Sequence, residues 1–128
     1  MFFLHLHSGF RYLALLAGLA TVGYALWGLV RHAPHDRTMD RLAVAFRAAM
    51  DVTAILGVAL LFGGRFYGAV GTHAVTMVLA TAVSHVVPAV MRRRPPEERT
   101  YAPYLVATLV ALALVAVGTL ALGRPVVG

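Results

Sequence analysis

The chain has 128 residues, 60% of them hydrophobic and only 12% charged, whereas ordinary soluble domains carry about 25% charged residues. A soluble chain of this size has too little interior to hide so much apolar surface, so the composition excludes a water-soluble domain and points to one helical unit in lipid, without room for a second domain. The net charge of +6 comes from eleven arginines and no lysine, and there is no cysteine, which excludes disulfides, iron–sulfur clusters and thiolate metal sites.

A spanning helix needs about 20 apolar residues at ~1.5 Å rise each. Four stretches meet that length, at about residues 4–30, 42–62, 71–91 and 102–122. The N-terminal stretch MFFLHLHSGFRY lacks a basic region ahead of its apolar start, so it is read as part of the first span and not as a signal peptide. Three short polar connections follow: Arg31 to Arg41 with Pro34, the glycine-flanked Gly63 to Gly68, and Arg92 to Thr100, where Pro95 and Pro96 stop the helix. Short connections predict an all-α, up-down-up-down four-helix membrane bundle.

Arginine placement predicts the orientation. The first and third connections hold Arg31, Arg37, Arg41, Arg92, Arg93, Arg94 and Arg99, while the other side holds Arg65 and Arg124, with Arg11 near the head of the first helix. The positive-inside rule puts the arginine-rich connections in the cytoplasm and both termini on the non-cytoplasmic side of a bacterial inner membrane. The basic charge is then a topology signal and not a nucleic-acid surface. Trp27 suits an interfacial anchor at the inner end of the first helix.

Ionisable side chains inside spans are costly and usually face the bundle interior. In the first helix His7, Arg11, Ala14, Gly18, Thr21 and Ala25 share one face at spacings of three and four, while His5 lies on nearly the opposite side. Below its polar head this stripe is small, so another helix or a flat cofactor can approach the backbone. In the third helix His73, Thr76, Ala80 and Ser84 make one face, with His85 about 120° away. In the second, Arg47 and Asp51 stand one turn apart, where an i,i+4 ion pair is expected. Depth sorts these groups into an outer cluster of His7, Arg11 and His73 and an inner one of Arg47, Asp51 and His85.

Two inward histidines at one depth are a way to hold haem b between helices, with imidazole nitrogens on the iron. His7 and His73 supply the ligands, Arg11 a partner for a propionate, and the Ala14/Gly18 stripe room for the ring. Three other readings stand beside this one. The inner cluster is a buried hydrogen-bond network, or Asp51 and His85 serve proton or quinone chemistry, as in a small transporter. His5 and His7 on an unwound N-terminus hold a copper or zinc ion. Or the small-residue stripes simply pack helices, in an accessory or scaffold subunit of a larger complex or in a homo-oligomer. Catalytic nucleophile motifs and phosphate-binding glycine loops are absent, so an electron carrier or accessory subunit is favoured over a stand-alone enzyme.

The segment HLHSGFRY (His5 to Tyr12) resembles the opening of a group of small bacterial four-helix membrane proteins labelled cytochrome b-like, which begin HLHSG, then an apolar residue, Arg and an aromatic. The resemblance extends over the chain: a similar length, four spans, the segment DVTAILG (Asp51 to Gly57) and a histidine opening the third helix, His73. Members carry a histidine in helix two where Asp51 falls here, a departure that argues against an inner histidine pair. The resemblance implies haem binding and electron transfer to or from a quinone or a periplasmic partner.

Overall fold

In a computed structural model the backbone is described for residues 2–62 and 68–121, and the side chains for 9–59, 71–95 and 97–120. Four helices account for nearly all of it: α1 (Phe2–Val30), α2 (Arg37–Phe62), α3 (Gly68–Arg93) and α4 (Ala102–Ala121), with one 3-10 turn at Pro96–Glu98. No strand occurs among the described residues. All four helices are long and apolar enough to cross a membrane. α1 packs on α2 and on α4, and α3 packs on the same two, so α1 and α3 occupy opposite corners. The α1–α2 and α3–α4 contacts are the more extensive, which makes the bundle two tight pairs joined along two lighter seams.

The interior is built from small side chains and the exterior from large ones, the inverse of a soluble core. Along α1 the residues Ala14, Gly18, Thr21, Ala25 and Gly28 are buried, while Leu13, Leu16, Leu19 and Leu26 point outward. Small residues let helix backbones approach where lipid leaves no hydrophobic drive for association. The outward leucines and valines suit the acyl chains of a bilayer. The approach is closest at Gly28, where an added Cβ would lie 2.6 Å from three carbons of the Tyr101 ring. Thr21 is fully buried, and its hydroxyl lies 2.7 Å from the Ala17 carbonyl of its own helix and 3.2 Å from the Leu42 carbonyl of α2.

Two expected boundaries move. α2 starts at Arg37, five residues ahead of the expected start at Leu42, because Asp36 caps it: Asp36 Oδ1 accepts from the Met39 N–H at 3.1 Å. The first connection therefore shrinks to a tight turn. It opens with a Schellman motif, in which Ala33 N–H donates to the Gly28 carbonyl at 2.9 Å and His32 N–H to that of Leu29 at 3.3 Å. His32 takes the left-handed conformation there, φ 51°, at the position glycine usually fills. α3 runs through Pro88 to Arg93, past the expected end at Met91, and the Arg92 Nε–H returns to the Pro88 carbonyl at 3.3 Å. The Gly63 to Gly68 turn lies largely outside the described residues.

Candidate functional site

The inner polar residues assemble in a different pairing from the one their spacing suggests. Asp51 does not pair with Arg47 one turn away; its Oδ1 meets His85 Nε2 of α3 at 2.7 Å. Side-chain direction explains this. Both Cα–Cβ bonds tilt toward the N-terminus of their own helix, which carries Asp51 and His85 toward each other across the seam, whereas i,i+4 pairing in water is worth only about 0.5 kcal/mol. The pair is the one ion pair among the described residues that joins α2 to α3. It lies eight residues from Arg93 at the end of α3 (His85) and eleven from Phe62 at the end of α2 (Asp51), or roughly 12 Å and 16 Å at 1.5 Å per residue. Both side chains stay partly open on the outer surface of the bundle, at 38% for Asp51 and 45% for His85. A charged group at that depth facing lipid costs about 2.5–3.5 kcal/mol on insertion scales. Retaining the pair therefore calls for a use or a cover.

The outer group divides. His73 Nδ1 lies 2.8 Å from the carbonyl oxygen of Gly118 in α4. With Nδ1–H as the donor, the lone pair of the ring is on Nε2, the tautomer a metal-ligating histidine uses. Gly118 is the close-approach point for that contact, since a Cβ there would meet Met77 Cε at 2.6 Å and Thr76 Cβ at 3.1 Å. Arg11 is half-buried with its guanidinium carbon 4.7 Å from the centre of the Tyr12 ring. Gly18 faces other helices and not an open slot: a Cβ there would meet Leu112 Cδ2 at 2.7 Å and Phe46 Cε1 at 3.0 Å. At Gly18 the stripe expected to admit a flat cofactor is thus filled by side chains of α4 and α2. The side chains of His5 and His7 lie outside the described residues. No three histidine, aspartate or glutamate side chains converge as a metal site among the described residues.

A third polar group escaped the sequence analysis. His35, assigned there to a connection, folds back over the arginine-rich end of the bundle. Its ring stacks on Tyr104 at 5.7 Å between centres and 25° between planes, and lies 6.2 Å from Tyr101. His35 Nε2 is 3.1 Å from Asp40 Oδ1 and 3.3 Å from the Tyr104 hydroxyl, which itself donates to Asp40. Tyr24 of α1 donates to Asp36 Oδ2, and Tyr101 donates to the Pro34 carbonyl at 2.9 Å. Tyr24 of α1, Tyr101 and Tyr104 at the start of α4, and the carboxylates Asp36 and Asp40 at the start of α2 thus tie the first connection down. Burial pushes the Tyr101 hydroxyl up to about 12, helped by the negative charge of Asp36 and by Tyr24, so it remains a donor. At Asp36 burial acts upward, yet the Tyr24 hydroxyl, the Met39 N–H and His35 together outweigh it and hold the carboxyl below its ordinary value. The available signal was the spacing of Asp36 and Asp40, one on the cap and one in the first turn of α2, opposite tyrosines at two other helix ends.

Between α1 and α2 an open apolar groove, bounded by Phe10, Leu13, Ala17, Ala48 and Val52, carries almost no polar surface and suits an acyl chain. Comparison with protein-family models, with curated proteins and with solved structures gives no significant match.

Proposed function

We propose that this chain is a small proton-coupled transporter of the bacterial cytoplasmic membrane, with the Asp51–His85 pair as its proton-binding centre. In this reading it is an up-down-up-down bundle, its arginine-rich connections cytoplasmic and both termini outside, as the positive-inside rule directs. The observation that carries the proposal is the 2.7 Å contact between two titratable side chains of different helices, within the spans and open to the bundle surface. A carboxylate and an imidazole in contact exchange one proton between them with little movement, and the lighter α2–α3 seam they bridge is where the two helix pairs are freest to shift. Intramembrane ionisable groups commonly mark proton or ion paths. Asp51→Asn removes the titrating carboxyl while keeping a hydrogen-bonding side chain. In proteoliposomes carrying an internal pH dye, proton uptake should fall by about a hundredfold, the low end of what a positioned proton-transfer group supplies. Unchanged uptake in Asp51→Asn would sink the reading.

A second reading is favoured by the His73–Gly118 contact, which orients the imidazole as a metal ligand is oriented. Here the protein is a cytochrome b-like electron carrier, with His73 and His7 as axial ligands to haem b and Arg11 near a propionate. It would exchange electrons with a quinone or a periplasmic partner. Bound haem would give an α-band in the reduced-minus-oxidised spectrum of protein from haem-sufficient cells. A colourless preparation, or a spectrum unmoved by His73→Ala, rejects it.

A further inference from the structure

The Asp51–His85 contact leaves hydrogen-bonding capacity unused on two partly exposed side chains. As an ionised pair, an imidazolium donates from both nitrogens and a carboxylate accepts on both oxygens. The contact within the chain uses only Nε2 of His85 and Oδ1 of Asp51, and among the described residues neither side chain has a second partner. What remains is one donor, Nδ1–H, and one acceptor, Oδ2, on two partly exposed side chains whose polar groups acyl chains cannot satisfy. A patch that carries one donor and one acceptor is complementary to its own copy turned by two-fold symmetry.

We propose that a second copy of this chain covers this face, about a two-fold axis along the membrane normal, so that Asp51 Oδ2 accepts from the Nδ1–H of the partner's His85 and the reverse contact closes a ring. Two carboxylates and two imidazoles then alternate in charge around the axis, and every polar group in the ring is used. The flanking residues suit close approach. Ala48 of α2 and Ala82 of α3, one turn from Asp51 and His85, are small and exposed. Ile55 and Val78, exposed at 68% and 63%, would form an apolar margin around them. Lipid headgroups lie too shallow to serve these groups, since Asp51 is eleven residues from the end of α2 and His85 eight from the end of α3. The inference deepens the proton-centre reading by naming the partner of that site, yet it rests on geometry that is tested separately.

The absence of cysteine makes the test clean. Ala82→Cys and, as the opposite-face control, Leu109→Cys are each introduced into the full chain and cross-linked in native membranes with a short bis-maleimide. Dilution of fluorescently labelled wild-type protein in lipid vesicles measures association without any variant of the pair. The expected results are a covalent dimer from Ala82→Cys but not from Leu109→Cys, and energy transfer that falls with dilution in lipid. Replacing the pair with leucines (Asp51→Leu with His85→Leu) should weaken association by about tenfold, the effect of 1.4 kcal/mol. Energy transfer at background level in wild-type protein, equal cross-linking from both faces, or a single copy held by a different membrane protein would each overturn the proposal. A monomer whose proton uptake still depends on Asp51 overturns the dimer alone and leaves the proton reading in place. A dimer whose uptake ignores Asp51 upholds the interface and removes the proton role.

Discussion

Gly28→Ala should destabilise the bundle by about 1–2 kcal/mol. The new methyl would sit 2.6 Å from three carbons of the Tyr101 ring, well inside contact distance. The ring has little freedom to retreat, because Tyr101 is buried and its hydroxyl is tied to the Pro34 carbonyl. Overpacking of this kind costs about 1–3 kcal/mol. Alanine's helix preference over glycine returns up to about 1 kcal/mol, so the clash wins by a smaller margin. Gly23→Ala is the internal control: nothing lies within 4 Å of its added Cβ, so only the helix-preference gain remains there. Thermal unfolding of the two variants in one detergent should therefore move in opposite directions. Equal shifts would mean that α4 does not seat on α1 at Gly28.

Tyr104→Phe should cost a further 1–2 kcal/mol or so, by another route. The ring stays and its stacking on His35 is kept, but the hydroxyl that bridges His35 and Asp40 is lost. A removed partner leaves a buried polar group unsatisfied at about 1–3 kcal/mol; Asp40, with 41% of its side chain exposed, recovers part of this from water, and His35 Nε2 keeps its 3.1 Å contact with Asp40, which places the cost in the lower part of that range. Acid attacks the same lock at Asp36. Its carboxyl is held below the ordinary value in the folded chain, so its contribution is present above the unfolded carboxylate range and is lost as pH falls through the folded value. Unfolding of the wild-type chain should thus become easier only as pH falls below about 4, and Asp36→Asn should flatten that dependence. Proteolysis within the first connection, compared between the variants, reads the release of the lock directly.

Much of the architecture was legible because lipid imposes a simple rule. The four apolar stretches appear as four helices, since length and hydropathy alone decide a span. The small stripe on α1 was legible as a face, although what fills it was not: Leu112 and Phe46 occupy Gly18's slot, and spacing within one helix carries no information about its neighbour's side chains. The start of α2 was missed because apolarity marks the membrane and not the helix, and a cap at Asp36 extends α2 through the polar turn Arg37 to Arg41 ahead of its continuous apolar stretch. Asp51 and His85 were recognised as companions by depth. The bond itself was hidden by a competing local partner, Arg47, which sequence spacing favours and side-chain direction does not. His35 was the largest surprise, because a loop histidine becomes a buried group only through Tyr101 and Tyr104, more than sixty positions away.

The central claim is that Asp51 and His85 hold an exchangeable proton within the membrane. Infrared difference spectroscopy of the protein in lipid nanodiscs, stepped in pH, tests it most directly. The account predicts a protonated-carboxyl band that appears on acidification together with an imidazole ring-mode change, the carboxyl band vanishing in Asp51→Asn and shifting in His85→Gln. A carboxyl signal that survives Asp51→Asn unchanged, or no change in either group across the pH steps, would contradict it.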